Sequence, residues 1–234
     1  LIAGTTGSGK SELLQSIVAG LAATRSPADL AFVLIDYKGG ATFGACSRLP
    51  HVSGVVTDLD ARLAERALRS LTAELRRRER LLAAAGAKDI AAYRQRRAGD
   101  AMPSLVLLVD EFAALAHELP QFLSGLVAVA ARGRSLGVHL VLATQRPGGA
   151  VSPDIRANTA LRIALRVTDP NESLDVIGTA AAAQISGDDP GRGYLSRAGS
   201  GAPIAFQAAR VVGVRASAGA ATAHVLDRWE IGRA

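Results

Sequence analysis

Residues 1–11 read Leu1-Ile2-Ala3-Gly4-Thr5-Thr6-Gly7-Ser8-Gly9-Lys10-Ser11. The last eight satisfy the phosphate-loop pattern G-x-x-x-x-G-K-[ST], in which each fixed position has a physical task. Gly4, Gly7 and Gly9 let the backbone turn through conformations closed to other residues and approach a polyphosphate closely. The N–H groups of such a loop form an anion-binding nest, completed by the N-terminus of the next helix. Lys10 would reach the β- and γ-phosphates and the Ser11 hydroxyl would ligate Mg²⁺. The candidate nucleotide-binding residues are therefore Gly4, Thr5, Thr6, Gly7, Ser8, Gly9, Lys10, Ser11 and Glu12. An apolar lead precedes the loop, and Leu13, Leu14, Ile17, Val18 and Leu21 recur after it at helical spacing. This strand–loop–helix setting argues against a chance Gly/Ser loop.

Working outward, Leu30 to Ile35 and Leu105 to Val109 are continuous apolar runs, and Val138 to Ala143 is another that contains His139. Runs without alternation mark strands of a parallel sheet covered on both faces. A short strand is expected over Val52–Thr57 and a fourth, with partial alternation, over Leu161–Val167. Helices are expected over Ser11–Thr24, Leu59–Ala85 with Asp58 as N-cap, Asp89–Arg97, Pro120–Arg132 and up to Ile177 from Asp169. The stretch from Arg146 to Asn158 reads as a polar loop. Gly193 to Leu195 and Ile204 to Val212 suggest a terminal hairpin or edge strands. Strands alternating with helices predict an α/β fold with a mainly parallel central sheet flanked by helices.

At 234 residues the chain has room for one large domain. We expect that domain over 1–212, with 213–234 a linker or the start of a further module. No apolar run nears the ~20 residues a membrane-spanning helix needs, and no secretory signal is present. The strand before the loop is short enough to suggest a piece of a longer protein. One cysteine, Cys46, excludes an internal disulfide and reads as a packing residue. The net charge of +6 is carried almost wholly by arginines mixed with acids, so it does not by itself indicate DNA. Arg76-Arg77-Arg78-Glu79-Arg80 reads as a solvated helix face, and His139 as a hydrogen-bonded core histidine.

Hydrolysis needs more than a phosphate loop. Asp110 follows five aliphatic residues and has the placement of the acid that holds Mg²⁺, while Glu111 beside it is the natural general base. Gln145 ends another strand, where its amide could hydrogen-bond the γ-phosphate or the attacking water.

The loop, Val109-Asp110-Glu111-Phe112 and Gly137-Val138-His139-Leu140-Val141-Leu142-Ala143-Thr144-Gln145-Arg146-Pro147 together resemble the FtsK/SpoIIIE ATPases. Asp36-Tyr37-Lys38-Gly39-Gly40-Ala41-Thr42-Phe43 resembles the EccC/YukB/EssC branch, the ATPases of type VII secretion. Arg132-Gly133-Arg134-Ser135-Leu136-Gly137, Ile155-Arg156-Ala157-Asn158-Thr159 and Pro190-Gly191-Arg192-Gly193-Tyr194 do so too. DNA-pumping members usually carry Pro after that Asp, where this chain has Tyr37. The resemblance implies a RecA-like P-loop core, ATP with Mg²⁺, and assembly with other ATPase modules into hexameric rings or stacked tandem domains. It makes Arg134 the candidate arginine finger acting in trans. It further implies a membrane-anchored parent on the cytoplasmic side of a bacterial membrane, working with the embedded secretion machinery on WXG-type secreted substrates. With Lys10, Ser11, Asp110 and Glu111 all present, the module resembles a hydrolysis-competent one that a neighbouring segment could restrain. The alternative is a double-stranded DNA translocase; a nucleotide-binding scaffold without turnover is a third reading.

Overall fold

The three apolar runs form the middle of one sheet. In the computed structural model, which describes residues 1–37, 42–57, 59–96, 102–199 and 201–211, they are β2 (Leu30–Asp36), β4 (Ser104–Asp110) and β5 (Val138–Thr144). They pair in parallel with β1 (Ile2–Ala3), β3 (Val52–Val56) and β6 (Leu161–Leu165). The antiparallel strands β7 (Arg192–Arg197) and β8 (Ile204–Gln207) extend the sheet, whose order is β3-β2-β4-β5-β1-β6-β7-β8. Successive strand residues point to opposite faces, and here both faces are covered. Phe32, Leu34, Val106 and Leu108 pack with Leu14 and Val18 of α1 (Lys10–Thr24). Ile35, Leu105, Leu107 and Val109 pack into the other layer. That layer is built on α2 (Ala61–Ala84), α3 (Ile90–Gln95), α4 (Phe112–Glu118), α5 (Pro120–Gly133), α6 (Pro153–Asn158) and α7 (Pro170–Ile177). Two-sided burial explains why these strands lack alternation.

Six parallel strands deliver their C-terminal ends to one rim. Asp36 stands in register with Asp110, and Ala3 with Thr144. The rim therefore gathers the phosphate loop, both acids of Asp110-Glu111, and Thr144-Gln145. No helix among the described residues is long and apolar enough to cross a membrane.

Several local expectations need correction. The Asp60 side chain, accepting from Leu63 N at 2.7 Å, caps α2, so the helix starts two residues later than expected. Asp58, Lys38–Ala41, Gly99–Ala101 and 212–234 lie outside the described residues. The Arg146–Asn158 stretch is not all loop: Ser152 caps α6 and Pro153 occupies its first turn, the start signal a Ser-Pro pair provides. His139 is exposed rather than a core residue: it lies near the N-terminal end of β5, on the opposite face of the strand from the buried Val138.

The largest correction is Arg78. It is 2% exposed, not part of a solvated face. On α2 it continues the buried stripe of Leu71, Leu75 and Leu82. Its Nε donates to Glu74 Oε1 at 2.8 Å and its Nη1 to the Leu136 carbonyl at 2.8 Å. Glu74 also accepts from Arg77, and these hydrogen bonds, Arg77's first, hold its carboxyl below the usual range. Arg78→Ala is expected to destabilise the fold by about 3 kcal/mol in urea denaturation, since it leaves the buried Leu136 carbonyl without its Arg78 donor and empties the space of a large buried side chain. Because Glu74 titrates lower in the folded state than in the unfolded chain, its contribution is present at neutral pH. It is lost as pH falls through the carboxylate range.

Candidate active site

The loop is held from both flanks of β1. Gly4 N donates to the Thr144 carbonyl at 3.2 Å, and Thr5 N and Oγ1 donate to the Arg166 carbonyl at 2.9 and 3.0 Å. Ser8 N closes the turn on the Thr5 carbonyl at 3.0 Å. Gly7 and Gly9 have φ of 79° and 90°, in the left-handed region that favours glycine. At Gly9 a Cβ would also sit 2.6 Å from Gly191 N. Gly9 is the N-cap of α1 and no side chain caps that helix, so its first N–H groups face the loop. The Ser8 hydroxyl is buried without a hydrogen-bond partner. These donors, together with the positive end of a 15-residue helix, suit a polyphosphate.

Opposite the loop stands the acid pair of β4. Lys10 Nζ forms an ion pair with Asp110 Oδ1, both side chains being buried. Asp110 Oδ1 also accepts from Glu111 N at 2.9 Å, and its Oδ2 from Thr42 Oγ1 at 2.7 Å. Thr42 Oγ1 is in turn 3.3 Å from Ser11 Oγ. Ser11, Lys10 and Asp110 are thus linked around one point, with a donor set of hydroxyl and carboxylate oxygens that suits Mg²⁺.

Glu111 is buried at the junction of β4 and α4 with φ 60° and ψ 49°, the one non-glycine residue with positive φ among those described. Such a conformation costs about 1–3 kcal/mol and is found where function requires it. Its carboxylate accepts from Thr144 Oγ1 at 3.0 Å and Gln145 N at 3.3 Å. Gln145 Oε1 accepts from Thr6 Oγ1 at 2.8 Å, tying the end of β5 to the loop.

A cleft of about 480 Å³ opens over the loop and Gln145. Thr5, Thr6, Gly7, Gly9, Lys10, Ser11, Glu12 and Gln145 form one wall; Pro190, Gly191, Ala208, Ala209 and Arg210 form the other. The second wall is fastened by Gly191 N to the Ser8 carbonyl and Ala208 N to the Gly191 carbonyl, both at 2.8 Å. It comes from the ends of β7 and β8, 180 residues and more from the loop, and Pro190-Gly191 in its family setting is the one sequence signal for it. Thr42 stands in the Asp36–Phe43 stretch quoted above, but its contact with Asp110 is visible only in three dimensions. Arg134 is exposed and lies outside this cleft, beside Val138 and His139 at the opposite end of β5 from Thr144. Arg132, its neighbour in the sequence, pairs with Glu79 at 3.3 Å.

A glycine cradle at a helix N-terminus, facing paired acids at the end of another parallel strand, defines a P-loop ATPase domain. The FtsK/SpoIIIE family model matches residues 1–199, and the chain belongs to that family. Type VII secretion system protein EssC of Staphylococcus aureus (strain NCTC 8325 / PS 47) is 45% identical over 199 residues, 83% of this chain and 13% of EssC. The cytoplasmic domain of the Thermomonospora curvata type VII secretion ATPase EccC superposes with a TM-score of 0.85 at 39% identity. That match covers 91% of this chain and 25% of the EccC chain. EccC ATPases 2 and 3 of the same organism, in complex with a signal sequence peptide, match with a TM-score of 0.73 at 31% identity, over 82% of this chain and 35% of that one. The chain therefore spans a small part of the proteins it resembles.

Proposed function

We propose that this chain is the ATP-hydrolysing motor module of a type VII secretion ATPase, with residues 1–212 as the module and 213–234 leading out of it. The observation that carries the reading is the meeting of Lys10 with Asp110 at the rim where the glycine loop begins a helix. The loop N–H groups and Lys10 bind the triphosphate and offset the charge that grows on its oxygens during transfer. Ser11 and Asp110 would hold Mg²⁺, which would supply positive charge against the charge developing on the phosphate oxygens. Glu111 takes the proton of the attacking water, held in place by Thr144 and the Gln145 backbone. Gln145, bonded to Thr6, orients that water or registers loss of the γ-phosphate.

Arg134, far from its own cleft, is assigned to the neighbouring module's site in a ring or hexamer. The likeness to EssC and EccC supports a parent protein at the cytoplasmic side of the membrane, joined to the secretion machinery. The signal sequence peptide bound to EccC supports secreted proteins of the WXG type as cargo.

ATPase assays at low salt, where electrostatic DNA binding is strongest, test the reading against DNA pumping. Duplex DNA is expected to leave Mg²⁺-dependent turnover unchanged; stimulation by several-fold would contradict export of protein.

A further inference from the structure

The hydrogen bonds around Thr42 have a direction. Asp110, ion-paired with Lys10, has no proton to give, so a carboxylate there only accepts. The single hydroxyl proton of Thr42 therefore goes to Asp110 Oδ2 at 2.7 Å. With that proton committed, the 3.3 Å contact between Thr42 Oγ1 and Ser11 Oγ has Ser11 as donor. The Ser11 proton thus points toward Thr42, and its lone pairs point away. In this state Ser11 is a ready oxygen ligand, and the Asp110 carboxylate is fixed in rotation by three donors: Lys10, Thr42 and Glu111 N.

Thr42 is itself anchored through both its backbone N–H and its carbonyl. Its N–H donates to Asp36 Oδ2 at 3.0 Å, and its carbonyl accepts from Gln15 Nε2 at 2.8 Å. Asp36 is buried and stands in register beside Asp110, so the anchor belongs to the sheet rim. Gln15 lies in α1, one turn beyond Ser11. A valine at 42 would keep the shape but remove both the donor to Asp110 and the acceptor for Ser11.

We infer that Thr42 is a positioning residue of the cation site, its hydroxyl relaying one proton orientation from Ser11 to Asp110 so that both present oxygens to Mg²⁺. This rests on the ATPase reading and adds a member that neither the phosphate-loop pattern nor the acid pair includes. Phosphate contacts come from the loop and Lys10, so Thr42 acts on the cation-dependent part of binding alone.

Calorimetric titration with ATPγS, once with Mg²⁺ and once with EDTA, separates these roles. Thr42→Val is expected to weaken binding about tenfold or more with Mg²⁺ and to leave binding in EDTA unchanged. Thr42→Ser, which keeps the hydroxyl, retains wild-type affinity in both. Asp36→Ala, which removes the acceptor of the backbone anchor at Thr42 N, gives the same selective loss to a smaller degree and serves if the valine variant fails to fold. Equal losses with and without Mg²⁺, no loss, or a serine variant as weak as the valine one would overturn the inference. Wild-type protein that binds ATPγS equally well in both conditions would overturn the cation site itself. Failure of wild type to bind in either condition would overturn the ATPase reading and this inference with it.

Discussion

Glu111→Gln binds ATP like the wild type and turns it over about 10²–10⁴-fold more slowly. The size follows from removing a general base while leaving its surroundings intact. Glutamine has the shape of glutamate, and its amide oxygen can still accept from Thr144 Oγ1 or Gln145 N, both of which donate to the carboxylate. The backbone at 111, with φ 60°, is no more strained for glutamine than for glutamate. None of the loop contacts passes through this side chain, so affinity is preserved. Steady-state phosphate release beside an equilibrium binding assay reads both halves of the expectation. Turnover equal to wild type would mean that another group accepts the proton.

Lys10→Met is expected to lose nucleotide affinity by about 100-fold, the scale of a charged hydrogen bond to a phosphate oxygen. It has a second consequence that a surface lysine would not have. Lys10 is buried against Asp110, so methionine, which matches the volume, leaves a buried carboxylate with only Thr42 Oγ1 and Glu111 N from the donors that had surrounded it. Breaking a buried pair from one side costs about 3 kcal/mol or more, and the variant should melt correspondingly earlier. Loss of affinity with unchanged stability would place the resting position of Lys10 elsewhere.

The parts of this molecule that were legible in the sequence are those encoded contiguously. The phosphate loop is eight consecutive residues, and its glycine conformations follow from residue type. Strands β2, β4 and β5 announce themselves because both faces are buried, which leaves a run of apolar residues with an acid or polar pair at the end. Arg78 was hidden because a run of five charges reads as solvent-facing, whereas helical geometry turns one of the five onto the Leu71–Leu75–Leu82 stripe. His139 is hard to place for the converse reason: apolar neighbours in the sequence do not tell which face of a strand stays open near its end. Thr42 and the wall of Pro190, Gly191 and Ala208 to Arg210 depend on chain crossings, and composition carries no trace of them. Arg134 shows the remaining boundary, since the role proposed for it, on another module, would leave its mark only in an assembly.

The central claim is that Lys10 and the glycine loop grip one triphosphate at the rim shared with Asp110. It is tested most directly by titrating the protein with a fluorescent ATP analogue in Mg²⁺, wild type and Lys10→Met side by side. Saturable binding at one site per chain in the wild type, weakened by about two orders of magnitude in the variant, is the expected result. Equal binding by the two proteins, or none by the wild type, would contradict it.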